Sequence, residues 1–137
     1  CGCVQKGGTA PIMDVIGYGD PVVTKGLNML YGPGNDLVSA TAMTAAGAHL
    51  ILFSTGRGTP FSAPAPTLKI STNTPLAQKK GGWIDFNTGV IADGEKTIDE
   101  AAKDLLDLVI RVAGGEQTKA EKHGFREISI FKDGVVL

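Results

Sequence analysis

The stretch HLILFSTGRGTPF at 49–61 constrains the fold more than any other part of the chain. Four apolar residues, Leu50 to Phe53, run without alternation into a loop holding Gly56, Arg57, Gly58 and Pro60. A short apolar run bounded by Gly and Pro fits a strand buried on both faces, and such strands belong mostly to parallel sheets covered by helices. In open α/β sheets ligands sit beyond the carboxyl ends of the strands, which makes Thr55-Gly56-Arg57-Gly58-Thr59 the first place to look for a site. Glycines let backbone N–H groups come close to an anion, and Arg57 offers a planar fork to a carboxylate or phosphate. The alternative is a tight turn with Arg57 solvated.

The same grammar recurs along the chain. Asn35-Asp36 supplies a helix start for 37–47, a small-residue segment that ends at Gly47. Thr67 to Ser71 is a second strand running into the polar loop Thr72-Asn73-Thr74-Pro75, and Gln78 to Gly82 is basic and turn-like. Trp83 to Gly89 alternates and reads as a third strand end, or a site loop with Asp85 and Asn87 on one side. Thr97 with Glu100 matches a capping box, and Ala101, Leu105, Leu108, Val109 and Val112 recur at helical spacing until Gly114-Gly115. That amphipathic helix is expected to cover a sheet face. Thr118 to Glu121 suits a short helix, and Ile128 to Phe131 with Val135 to Leu137 a closing strand pair.

The expected fold is therefore a layered α/β/α arrangement with a mainly parallel sheet and Gly-rich loops at strand ends. Residues 37–137 form its core. Residues 1–36 are punctuated by Gly and Pro and read as an arm lying along a partner surface, with Ile12–Ile16 and Leu27–Leu30 as short strands or helical turns.

Charge narrows the function. Thirteen basic residues against 14 acidic ones leave a net charge of -1, with no basic run, which argues against nucleic acid as the main partner. No apolar run is long enough to span a membrane, and a cytoplasmic protein is expected. The chain starts at Cys1 in mid-sequence, which points to a piece of a longer polypeptide. Cys1 and Cys3 are too close for an easy disulfide and too few for a zinc site, leaving a plain thiol or a single ligand of a site completed elsewhere.

Three strand-end loops of similar composition, TGRGTP, STNTP and DFNTG, imply a polar pocket for a small hydroxyl-rich or anionic ligand. Arg57 and Lys69 can supply charge, and Thr55, Asn73, Asn87 and Thr88 polar partners. Asp85 is a base, a metal ligand or a cap. Lys69, inside an apolar strand, is expected to emerge at an edge or into the pocket, and His49 to be packed. No Ser-His-Asp or Cys-His set can be assembled, and the Gly-rich loop matches neither a Walker loop nor the dinucleotide fingerprint.

In register along nearly the whole chain, GCVQKGG at 2–8, GPGNDLVSAT at 32–41, LFSTGRGTPF at 52–61, PTLKISTNTPL at 66–76, WIDFNTGVIADGE at 83–95 and AGGEQTKAEKHGF at 113–125 resemble the carboxyl-terminal region of the altronate/galactarate dehydratase family. The resemblance implies a lyase of sugar-acid (hexuronate) catabolism, which removes water from an aldonate or aldarate to give a 2-keto-3-deoxy acid. It implies a divalent metal, Fe2+ or Mn2+, to polarise the leaving hydroxyl. Carried onto this chain, Thr55, Gly56, Arg57 and Gly58 would hold a substrate carboxylate, with Asn73, Asn87 and Thr88 lining the pocket. Lys69 and Asp85 would be the catalytic pair, and Cys3 would lie near the metal. Family members also have amino-terminal and central regions, so the piece alone would be inactive; homo-oligomers are a further expectation. Altronate is the first substrate to consider, with galactarate dehydratase and sulfolactate sulfo-lyase as alternatives inside the family, and a noncatalytic carboxylate-binding or assembly module outside it.

Overall fold

The computed structural model describes residues 5–130. Its first two strands, β1 (Ile12–Ile16) and β2 (Leu27–Leu30), pair in parallel as a separate ribbon, with Val15 opposite Met29 and Ile16 opposite Leu30. The arm thus holds a strand pair of its own. Gly26, at a φ of 115°, lies so close to Met13 that a Cβ would stand 2.6 Å from its Cγ, so only glycine lets β2 start there. The ribbon hides Ile16 and leaves Val15 75% and Tyr31 70% exposed.

Helix α1 (Asp36–Ala45) begins as expected: the Asn35 side chain accepts from the amides of Leu37 and Val38. Its alanines allow close packing. Ala40 joins Ile51, Phe61, Ala63 and Ala65 in the core, and Phe53 meets Phe61 edge-on at 5.1 Å. His49, expected to be packed, is exposed in the turn between α1 and the next strand.

Strands β3 (Ile51–Thr55), β4 (Thr67–Ser71) and β5 (Phe86–Asn87) form the main sheet in the order β3-β4-β5, parallel throughout. The chain therefore has the expected mixed α/β fold with parallel sheets. Every residue of β4 is buried, as a central strand requires.

Four further helices follow. α2 (Thr74–Lys79) occupies what reads in sequence as a polar loop and a basic turn; Asn73 caps it and Pro75 sits in its first turn. α3 (Gly89–Ala92) is one turn, and α4 (Ile98–Ala113) starts on the Thr97–Glu100 capping box. α4 covers less of the sheet than its pattern suggests. Only Ala101 and Val112 are fully buried on it, while Leu106 and Ile110 face outward. α5 (Lys119–Lys122) is opened by a second capping box, Thr118 with Glu121. Beyond it the chain runs without regular structure to residue 130, held where Glu127 N donates to Ser62 O and Ser129 N to Thr41 Oγ1. Ile128 to Ile130 are thus not in a strand, and the rest of the expected closing pair lies outside the described residues. Among the described residues no helix is long and apolar enough to cross a membrane.

Candidate active-site face

Because β3, β4 and β5 are parallel neighbours, their carboxyl ends deliver three loops to one end of the sheet. Each loop is locked to the next. In the first, Thr55 Oγ1 accepts from Gly58 N at 2.9 Å, and Gly58 adopts a φ of 81°. A Cβ on Gly58 would stand 2.9 Å from Lys80 Cδ and 3.1 Å from Leu76 Cδ1. That closeness lets Lys80 Nζ donate to Arg57 O at 2.9 Å and Gly58 O at 3.3 Å, while the ammonium lies 5.0 Å from the Trp83 ring centre. The loop's carbonyls thus have a cationic partner, and the Arg57 side chain stands exposed.

The second loop leans on the first: Thr72 N donates to Thr55 O at 3.1 Å and Asn73 Nδ2 to Gly56 O at 3.2 Å, while Asn73 Oδ1 caps α2. The third leans on the second. Thr88 donates to Ser71 O through both N and Oγ1, and Asn87 links Thr74 Oγ1 to Gly89 N. Gly89 is buried where the loops meet. A Cβ there would stand 2.6 Å from Asn73 C and 2.7 Å from Thr74 Oγ1, and would strike the Thr74 amide. Gly89→Ala is therefore expected to destabilise the chain by about 3 kcal/mol or more, because the obstacle is backbone and cannot rotate away. Urea denaturation checks this against Gly94→Ala, where the space is open and only the φ of 76° resists.

The model of the family described as D-galactarate/altronate dehydratase, C-terminal, matches residues 1–136. The chain belongs to that family. Altronate dehydratase of Escherichia coli (strain K12) is 47% identical over 136 residues, covering 99% of this chain and 27% of the relative. Altronate dehydratase of Bacillus subtilis (strain 168) is 46% identical over the same shares. The L-threo-forming galactarate dehydratase of Escherichia coli (strain K12) is 33% identical over 138 residues, covering 98% of this chain and 26% of the relative. The chain thus spans about a quarter of the length of these dehydratases.

Within this dehydratase domain the residues singled out from sequence fall into two groups. Thr55, Gly56, Arg57, Gly58, Asn73, Asn87 and Thr88 come together at the strand ends, and all but Arg57 and Gly56 spend side-chain bonds or close contacts on holding the loops. Lys69, beneath the first loop, and Asp85 are turned into the fold instead. β4 is central, so Lys69 emerges at no edge: it is 1% exposed, its Nζ donates to Thr59 O, and it sits 5.2 Å from the Phe61 ring centre. Burial pulls its pKa down from 10.5 to about 8, against the opposing pull of the carboxylates of Asp85 and Glu127. Asp85 accepts from Lys69 N through Oδ2 and from Lys119 N through Oδ1, each at 2.8 Å. It borders a cavity of about 380 Å³ with Lys96, Asp104, Asp107 and Arg111. Asp85 and Asn87 therefore serve different networks.

Sequence reasoning passed over Lys80 and Thr74. For Lys80 the available signal was position, since a lysine just past a short Asn-capped helix can reach back to the neighbouring loop. The metal has less support. Among the described residues no three His, Cys, Asp or Glu side chains are grouped to hold an ion, and Cys3 lies outside those residues. The described residues alone do not fit an Fe2+ or Mn2+ site.

Proposed function

We propose that this chain is the carboxylate-binding part of a sugar-acid hydro-lyase, acting first on altronate, whose complete site needs further regions of the same polypeptide. The observation that carries this reading is Arg57: an exposed guanidinium at the carboxyl end of a parallel sheet, on a loop held by Thr55, Asn73 and Lys80. A rigid loop loses little entropy on binding, and the guanidinium meets a carboxylate with two parallel hydrogen bonds. Thr72 is exposed on the adjacent loop, where its hydroxyl donates to Thr55 O at 3.4 Å. Altronate is favoured over galactarate because similarity to the two altronate dehydratases exceeds that to the galactarate enzyme. A more distant relative, the (2R)-sulfolactate sulfo-lyase subunit beta of Chromohalobacter salexigens, is 30% identical over 93 residues and also carries an anionic substrate in its name.

In this reading the chain holds and orients the acid. Dehydration needs a base for the proton alpha to the carboxylate and an acid for the departing hydroxyl. Lys69 and Asp85 are engaged inside the fold, so those groups come from the regions that complete the site. A cytoplasmic location follows from this metabolic role.

Arg57→Ala in the whole polypeptide is expected to lower kcat/KM for altronate by about 100-fold, as loss of a charged hydrogen-bonded pair implies, with little change in stability. Arg57→Lys recovers part of it, because a point charge replaces the fork. Steady-state kinetics on altronate, galactarate and sulfolactate check both; unchanged turnover in Arg57→Ala would remove this loop from the site.

A further inference from the structure

The free side of β3 is an unprotected sheet edge. Ile51 N donates to Pro66 O and Thr72 N to Thr55 O, so Ile51, Phe53 and Thr55 turn their backbone groups toward β4. By the alternation of a parallel ladder, Leu52 and Ser54 turn theirs the other way, where no described strand pairs. Proteins guard such edges with charge, proline or bulges, and Ile51–Thr55 has none of these. Leu52 is 51% exposed.

Beside this edge lies a cavity of about 370 Å³ between β3, the end of α1 and the β1–β2 ribbon, lined by Ile16, Leu30, Met43, Leu50 and Leu52. Asn28 lines it too. Its Nδ2 donates to Thr24 O and Gly26 O, while its Oδ1 is buried with no partner among the described residues.

We propose that an extended segment from the rest of the dehydratase polypeptide pairs beside β3 and places apolar side chains in this cavity. The edge supplies backbone pairing and the cavity supplies selection, as in recognition by strand addition. The occupant is assigned to the same polypeptide because nearly three quarters of each altronate dehydratase relative lies outside the matched region. The proposal rests on family membership and is independent of Arg57.

Residue-resolved amide hydrogen exchange in the whole polypeptide tests it. Strand addition predicts that the Leu52 and Ser54 amides exchange within about tenfold of Phe53, at every protein concentration, and that Leu52→Asp speeds them at least 100-fold while sparing Phe53. If Leu52→Asp does not fold, the wild-type pattern still decides. Leu52 and Ser54 exchanging at least 100-fold faster than Phe53 would mean an open edge and overturn the proposal. Protection that vanishes on dilution would assign the edge to a second copy and overturn it equally.

Discussion

Replacing Asp85 with alanine is expected to cost about 3 kcal/mol of stability, the sum of two buried or half-buried amides left without an acceptor. One is Lys69 N, in the buried central strand; the other is Lys119 N, at the start of α5. A single carboxylate thus ties the sheet to a helix 34 residues further on, and its charge strengthens both bonds. The change also removes the carboxylate that most offsets the burial of Lys69. Asp85→Asn keeps the shape but offers an acceptor to one amide only, so its loss should be about half as large. Urea midpoints of the two variants check the order. A fully stable Asp85→Asn variant that has lost turnover would overturn this and return Asp85 to the chemistry as a base.

That contrast shows what local sequence can and cannot convey. β4, the Asn35 cap and the Thr97–Glu100 capping box are written in neighbouring residues and stand where the pattern puts them; β3 is a strand as expected but is not buried on both faces, because it lies at the sheet edge and leaves Leu52 exposed. α2 was legible in principle, since Asn73 followed by Pro75 is a helix start, but the run STNTP also reads as a turn. The pairing of β1 with β2 depends on a register between Ile12 and Leu27 that no local signal carries. α4 shows the limit of periodicity: its apolar stripe is real, yet which part is covered depends on partners along the whole helix. At the strand ends, composition showed that three polar loops would gather. It could not show that Asn73, Asn87 and Thr88 would turn their hydrogen bonds on one another and leave Arg57 facing outward. A side chain's availability to a ligand is set by its neighbours' demands, which are tertiary.

Lys69 gives the second large effect: the chain is expected to gain stability as pH rises from about 8 to about 10.5. Burial has taken water from the ammonium, and the carboxylates of Asp85 and Glu127 do not fully replace it, so the folded-state pKa falls to about 8 from 10.5. Between those values the unfolded chain still binds a proton that the folded chain has released, and stability rises with pH wherever that holds. Below pH 8 both states are protonated and the penalty is fully present; above 10.5 both are neutral and it is gone. A fall from 10.5 to about 8 corresponds to roughly 3 kcal/mol. Lys69→Met keeps the length of the stem and removes the titration, which isolates Lys69 from the other lysines and the tyrosines that ionise in the same window. The stability difference, wild type minus variant, should climb from pH 8 to pH 10.5 and stay level below pH 7. A difference that is flat throughout would mean that the Nζ reaches water, and a lysine in reach of water at the foot of the Thr55–Thr59 loop would again be a candidate to touch the substrate.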